Sequence, residues 1–296
     1  MTDDTPILIL GAGPAGIGAG LALGEQAHVL DGQADLGGLS RTIELEGAIF
    51  DLGGHSFHTP HRAIRDLVFG AVEMFEQTRD ARCYFDGGMI PFPFQKNYGE
   101  LRDAALRAEC AAGLRTAGDG RQAKHFEDYL IQRFGPGIAG HFLLPYNQKL
   151  WGPELFKLDV DWVDQRVTAP TDGRPERLRL PGERAPLQAD TQVAYPVRGG
   201  FGEIFQALAR RLPRLSLGKK AVHIDPSRRE LWTADGSCLS WDRIVSTLPI
   251  PNLLSLLDDV PPEIKQMAME LRALTLDIVL VVVGHPVDTP IQRVYC

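Results

Sequence analysis

The stretch PILILGAGPAGIGAGLALGEQAHVLD, residues 6–31, decides the fold. Pro6 to Leu10 is a short apolar run that stops at Gly11, Gly13 and Gly16, spaced G-x-G-x-x-G. Small residues and helix formers fill Ala15 to Leu23, and a second short apolar run, Ala27 to Leu30, ends on Asp31. This pattern reads as strand, tight turn, helix, strand. Gly11 permits the tight turn, Gly13 lets a pyrophosphate approach the backbone, and Gly16 lets helix and strand pack closely. The helix start then offers unpaired N–H groups and the positive end of its dipole to phosphates. Asp31, 20 residues after Gly11, can accept hydrogen bonds from both hydroxyls of an adenosine ribose. The motif predicts a dinucleotide site and, taken alone, suits NAD as well as FAD.

The surrounding chain has 296 residues and is 44% hydrophobic, enough for two domains. Its formal net charge of -7 argues against nucleic acid or an anionic membrane as a partner. Cys83, Cys110, Cys238 and Cys296 are scattered, with no CxxC and no metal-ligand spacing. Reduced thiols, no metal and a cytoplasmic location are therefore expected, and Met1 to Thr5 shows no signal peptide. The longest apolar run, Ile278 to Val283, is far too short to span a bilayer and predicts a buried strand.

Beyond Asp31, Thr42 to Phe50 reads as a hairpin between two glycine pairs. Helices are predicted over His61–Phe75, Tyr98–Gly113 and Lys124–Phe134, with a loop at Ile90–Gln95. Asp172–Thr191 reads as a surface excursion. At Gln192 the βα style returns. It carries a glycine turn at Gly199–Gly202, a helix at Glu203–Leu212 and strands at Lys220–Ile224, Glu230–Thr233 and Arg243–Ser246. A helix at Pro261–Leu271, a strand at Thr275–Val283 and the start of another at Arg293–Tyr295 complete the reading.

Gly37-Gly38-Leu39-Ser40-Arg41 resembles the extended motif of flavoproteins with two dinucleotide-binding domains. That resemblance favours FAD. It implies that the backbone of Gly38, Leu39 and Ser40 faces the pyrophosphate and that Arg41 adds charge, a surface ion pair being the competing role for Arg41. Four further segments are FDLGGHSF at 50–57, YFDG at 84–87 running on to IPFPFQ at 90–95, PYNQKLWG at 145–152 and YPVRGGFG at 195–202. In order and spacing they resemble the UDP-galactopyranose mutases and their amine-oxidase-like and protoporphyrinogen-oxidase-like relatives.

The resemblance implies that Gly53 and Gly54 pass the flavin ring and that His55 neighbours its reactive nitrogen. A hydrogen-bonded core histidine is the alternative for His55, and the preferred reading of His58. Val222 would hydrogen-bond the adenine through its backbone. Phe94, Tyr146 and Trp151 would flank the uracil of a nucleotide sugar, against a competing role in ordinary core packing. Arg166, whose spacing fits with one inserted residue, and Arg272, placed at a helix end, would reach the substrate diphosphate.

The implied fold is α/β, a discontinuous Rossmann-like FAD-binding domain from residues 1–60 and 191–260. A mainly helical substrate or cap region occupies 61–190, and 261–296 begins a substrate-domain sheet. The implied activity is interconversion of pyranose and furanose forms of a nucleotide sugar through a reduced-flavin adduct. The alternative is an FAD-dependent oxidoreductase of the amine oxidase or protoporphyrinogen oxidase type. Relatives continue past the position of Cys296, and Val294-Tyr295-Cys296 reads as an interrupted strand. A truncated, inactive fragment is thus the third expectation.

Overall fold

A computed structural model describes residues 7–163, 167 and 192–296. The surface excursion expected at 172–191 and the candidate Arg166 lie outside the described residues. The chain divides into two units. The first comprises Met1–Glu76 and Ala194–Val282, the second Gln77–Val193 and Val283–Cys296.

In the first unit, β1 (Ile7–Leu10), α1 (Pro14–Leu23) and β2 (Ala27–Leu30) follow the predicted order. β1 pairs in parallel with β2 and with β13 (Arg243–Ser246), and β2 pairs in parallel with β9 (Leu215–Ser216), giving the order β13-β1-β2-β9. Side chains alternate between the two faces of a strand. Ile7, Ile9 and Val29 accordingly join Ile17, Ile204 and Leu208 in one core. Leu8, Leu10 and Leu30 join Ile224 and Leu231 in another. Covered on both faces, β1 reads as an unbroken apolar run, as parallel sheets do. The meander β10 (Ala221–Asp225), β11 (Glu230–Thr233) and β12 (Cys238–Ser240) is antiparallel. The expected hairpin forms as β3 (Thr42–Leu45) and β4 (Ala48–Asp51).

The second unit is built on helices α4 (Ala104–Thr116) and α5 (Phe126–Ile138). A Cβ on Gly137 would lie 2.9 Å from Cys110 Cα, so glycine sets how closely the two helices approach. The unit also holds a sheet of which the sequence reading had only the strand at Arg293–Tyr295. In it β6 (Ala81–Phe85) pairs antiparallel with β7 (Gly88–Pro91) and parallel with β14 (Arg293–Tyr295).

Four expected elements change. The helix expected over His61–Phe75 is α2, Arg62–Phe69 only. It stops at Gly70, and the chain turns into strand β5, Met74–Thr78. The helix expected from Tyr98 starts at Ala104, because Asp103 caps it by accepting from the amides of Ala105 and Leu106. The loop expected at Ile90–Gln95 is divided between the end of β7 and the start of helix α3, Phe94–Asn97. Lastly, Thr275–Val283 is not a strand and is not buried: no helix or strand lies between Glu270 and Arg293, and Leu276, Val279 and Val281 are 72%, 84% and 69% exposed. High β-propensity fits a pleated, half-buried surface, and none of the described strands pairs with this segment.

Candidate functional site

The glycine turn separates two kinds of glycine. At Gly11, φ is +108°, and an added Cβ would lie 2.3 Å from Thr247 Oγ1. A Cβ on Gly16 would lie 1.7 Å from the carbonyl oxygen of Gly11. The fold itself requires both residues. A Cβ on Gly13 would meet only Gly38 Cα, at 3.9 Å, an ordinary contact. The space in front of Gly13 is therefore left open by the protein. Gly13 is also the N-cap of α1, which has no side-chain cap and no acidic residue in its first turn. A helix start of this kind favours an anion.

Asp31 is bonded to the same turn. Its Oδ2 accepts from Ala12 N at 2.6 Å and its Oδ1 from Gln33 N at 2.7 Å. Each carboxylate oxygen has capacity for a second donor, which a ribose hydroxyl can supply. The second glycine pair packs onto the first. Gly37 N donates to Ala12 O at 2.9 Å, and Gly38, Leu39 and Ser40 form a single 3-10 turn. Leu39 is 82% exposed. Arg41 donates Nη1 to Gly38 O at 3.2 Å, closing the turn. Past Asp31 the chain runs against the start of the meander, where Lys219 N donates to Asp31 O at 2.8 Å. Val222 lies nearby at a register shift in β10, its side chain exposed.

Gly53 and Gly54 follow β4 and lead to His55. The His55 ring stacks on Phe201, with centroids 5.0 Å apart and planes 14° from parallel. His55 Nδ1 is buried and has no hydrogen-bond partner among the described residues. Sequence reasoning missed what holds this pair. Asp51 Oδ1 accepts from Thr42 Oγ1 at 2.5 Å and from Phe201 N at 2.9 Å. Asp51 Oδ2 accepts from the Tyr195 hydroxyl at 2.5 Å. Burial and the Asp51 carboxylate together push the Tyr195 phenol up from its ordinary value. Asp51 and Tyr195 both stand in the quoted motifs, but nothing in their spacing announces that they touch.

In the second unit, Phe94 is fully buried and stacks on Phe142 at 4.4 Å with planes 3° apart. Tyr146 stacks on Phe142 at 5.5 Å, and burial raises its phenol to about 12. Trp151 ends α6 (Leu144–Trp151), 40% exposed, with its ring 5.5 Å from Trp162. Phe94 and Tyr146 are thus brought into one aromatic core, while Trp151 keeps an open face. Arg272, in the first unit, follows α9 (Pro262–Glu270) and is exposed. The strand expected after it is absent.

Residues 20–287 match the family described as flavin containing amine oxidoreductase. The chain belongs to this family. Among solved structures, reduced UDP-galactopyranose mutase is similar at 28% identity and a TM-score of 0.77, covering 90% of this chain and 61% of that one. A fatty acid isomerase from P. acnes matches at 13% identity and a TM-score of 0.52, over 91% of this chain and 64% of that one. Putrescine oxidase matches at 15% and 0.55, over 90% and 63%. These last two likenesses concern the fold. The chain spans less than two thirds of the length of these solved relatives.

Flavin is the family's cofactor, and two features of this amine oxidoreductase-family chain fit it. Gly13 leaves room at an uncapped helix start, where a dinucleotide diphosphate needs both space and N–H donors. The orphaned Nδ1 of His55 is a buried polar atom that lacks a partner among the described residues, and such atoms are costly unless something bonds them. Among the described residues no helix is long and apolar enough to cross a membrane.

Proposed function

We propose that the first unit binds FAD and that this flavoenzyme interconverts the pyranose and furanose forms of a nucleotide sugar. The observation carrying the cofactor assignment is the gap at Gly13, bounded by Gly38 at 3.9 Å and by the uncapped start of α1. In this reading the first-turn amides of α1 and the backbone of Gly38, Leu39 and Ser40 hold the diphosphate. Asp31 orients the adenosine ribose, and Val222 adjoins the adenine. His55 offers Nδ1 to the isoalloxazine edge. Bound there, FAD supplies the ring chemistry that neither the glycine turn nor any side chain in it provides.

Support for the mutase over an oxidase comes from the likeness to UDP-galactopyranose mutase, which is stronger in identity and in TM-score than that to putrescine oxidase. The exposed face of Trp151 suits stacking on a nucleobase, and the guanidinium groups of Arg272 and Arg166 suit a substrate diphosphate.

The test has two stages. Purified protein is expected to show the visible absorption of bound flavin, and Gly13→Val is expected to lose it. A colourless wild type given excess FAD ends the cofactor reading. Turnover of UDP-galactopyranose only after dithionite reduction supports the mutase. Oxidation of an amine by the unreduced protein, with no sugar turnover, replaces it with the oxidase.

A further inference from the structure

Three neutral donors from two separate parts of the chain converge on one carboxylate, that of Asp51. They are the Thr42 hydroxyl, the Phe201 amide and the Tyr195 hydroxyl. Thr42 also accepts from Gly202 N, at 2.8 Å. The hairpin β3–β4 is thereby bonded at three points to the segment 195–202, and the Thr42–Asp51 bond ties its own two strands together. Packing there is as tight as the bonding. A Cβ on Gly200 would lie 2.5 Å from Thr42 Oγ1 and 3.0 Å from Asp51 Oδ1, and a Cβ on Gly202 would lie 2.7 Å from Thr42 N. Phe201 sits inside this clamp, and its ring carries the His55 imidazole. All of these residues lie in the first unit.

We infer that Asp51 is a positioning residue for His55. By fixing the backbone of Phe201 it fixes the plane on which the His55 imidazole stacks, and with it the direction of the orphaned Nδ1. The inference rests on the reading of His55 as a flavin neighbour for its functional meaning. The positioning itself is a property of the protein alone.

The chemistry explains why a carboxylate occupies this place. An ionised carboxylate only accepts, so all three donors can be met at once. An asparagine presents an NH2 group on one side, so it cannot receive all three donors at once, and the Tyr195 hydroxyl must turn and accept instead. Tyr195→Phe removes a single oxygen from the same clamp and leaves the ring contacts with Phe75 and Phe201 in place.

The experiment is side-chain NMR of the histidines on the full chain, before and after adding FAD, with His55 assigned by His55→Gln. Phe201→Leu provides the unstacked reference position of the His55 ring signals, because the ring current of Phe201 is then gone. Asp51→Asn and Tyr195→Phe are expected to move the His55 signals away from wild type toward that reference, while Thr42→Ser, which keeps the hydroxyl, leaves them in place. Where FAD is bound, the same two variants are expected to shift the flavin absorption bands, and Thr42→Ser is not. His55 signals in folded Tyr195→Phe and Asp51→Asn that superimpose on wild type overturn the proposal. Should Asp51→Asn fail to fold, Tyr195→Phe alone decides it by the same criterion. Failure of every variant and of wild type to take up FAD would refute the cofactor reading, yet the flavin-free spectra would still decide whether Asp51 positions His55.

Discussion

Ala12 N donates to Asp31 Oδ2 at 2.6 Å, so the carboxylate that ends the second strand holds the glycine turn that ends the first. The acid at this place in the motif thus has a structural duty in the protein itself, besides any contact with a ribose.

The first prediction follows from that double duty. Asp31→Ala is expected to lower the stability of the flavin-free protein by about 1–3 kcal/mol, the usual worth of hydrogen bonds to a charged acceptor. It is also expected to reduce flavin retention. Denaturant melts of the flavin-free variant check the first effect and absorbance after purification the second. A melt identical to wild type would show that the bond to Ala12 contributes nothing to the turn.

Gly13 and Gly16 are expected to part company. Gly16→Ala places a Cβ against the Gly11 carbonyl and should prevent stable folding of the first unit. Gly13→Ala meets only an ordinary contact and should fold as wild type does, with the deficit confined to flavin. Circular dichroism and thermal melts distinguish them. Equal damage in both variants without cofactor would contradict the open space in front of Gly13.

Stability should fall on the alkaline side. Burial raises Cys83 from 9.0 to about 12, Cys110 from 9.0 to about 11 and Tyr146 from 10.0 to about 12. The folded protein keeps these protons where the unfolded chain has lost them. Their contribution is therefore complete below about pH 9 and is lost as pH rises toward 11–12. Melting temperatures between pH 8 and pH 11 test this, with Cys83→Ala/Cys110→Ala expected to show the shallower decline. In the native protein near pH 8, a thiol reagent should modify exposed Cys238 and Cys296 quickly, and buried Cys83 and Cys110 only on unfolding.

The Val-rich segment at 275–283 should drive self-association. Leu276, Val279, Val281 and Val282 are exposed, and the segment is β-prone without belonging to a strand. Val279→Lys with Val281→Lys is expected to raise the protein concentration at which light scattering first increases. Scattering onset unchanged in this double variant would place the association elsewhere.

The strand–turn–helix–strand unit over residues 7–31 was legible in the sequence because everything that makes it is local. Two short apolar runs, three glycines at fixed spacing and one terminal acid act over a few residues, through steric limits and periodicity. The meander strand Glu230–Thr233 and the parallel-sheet strand Arg243–Ser246 were legible for the same reason. Long-range contact decided the rest. Whether a glycine is demanded by the fold or left open for a ligand depends on what stands opposite it: Thr247 for Gly11, and only Gly38 for Gly13. Asp51 and Tyr195 are 144 residues apart and meet through two oxygens, a pairing with no periodicity to betray it. The run at Thr275–Val283 has the composition of a strand and yet is none, since a strand exists only by hydrogen-bonding to a neighbour. The sequence by itself thus determined the cradle, and the tertiary structure decided which atoms face into it, because burial and pairing are properties of two segments at once.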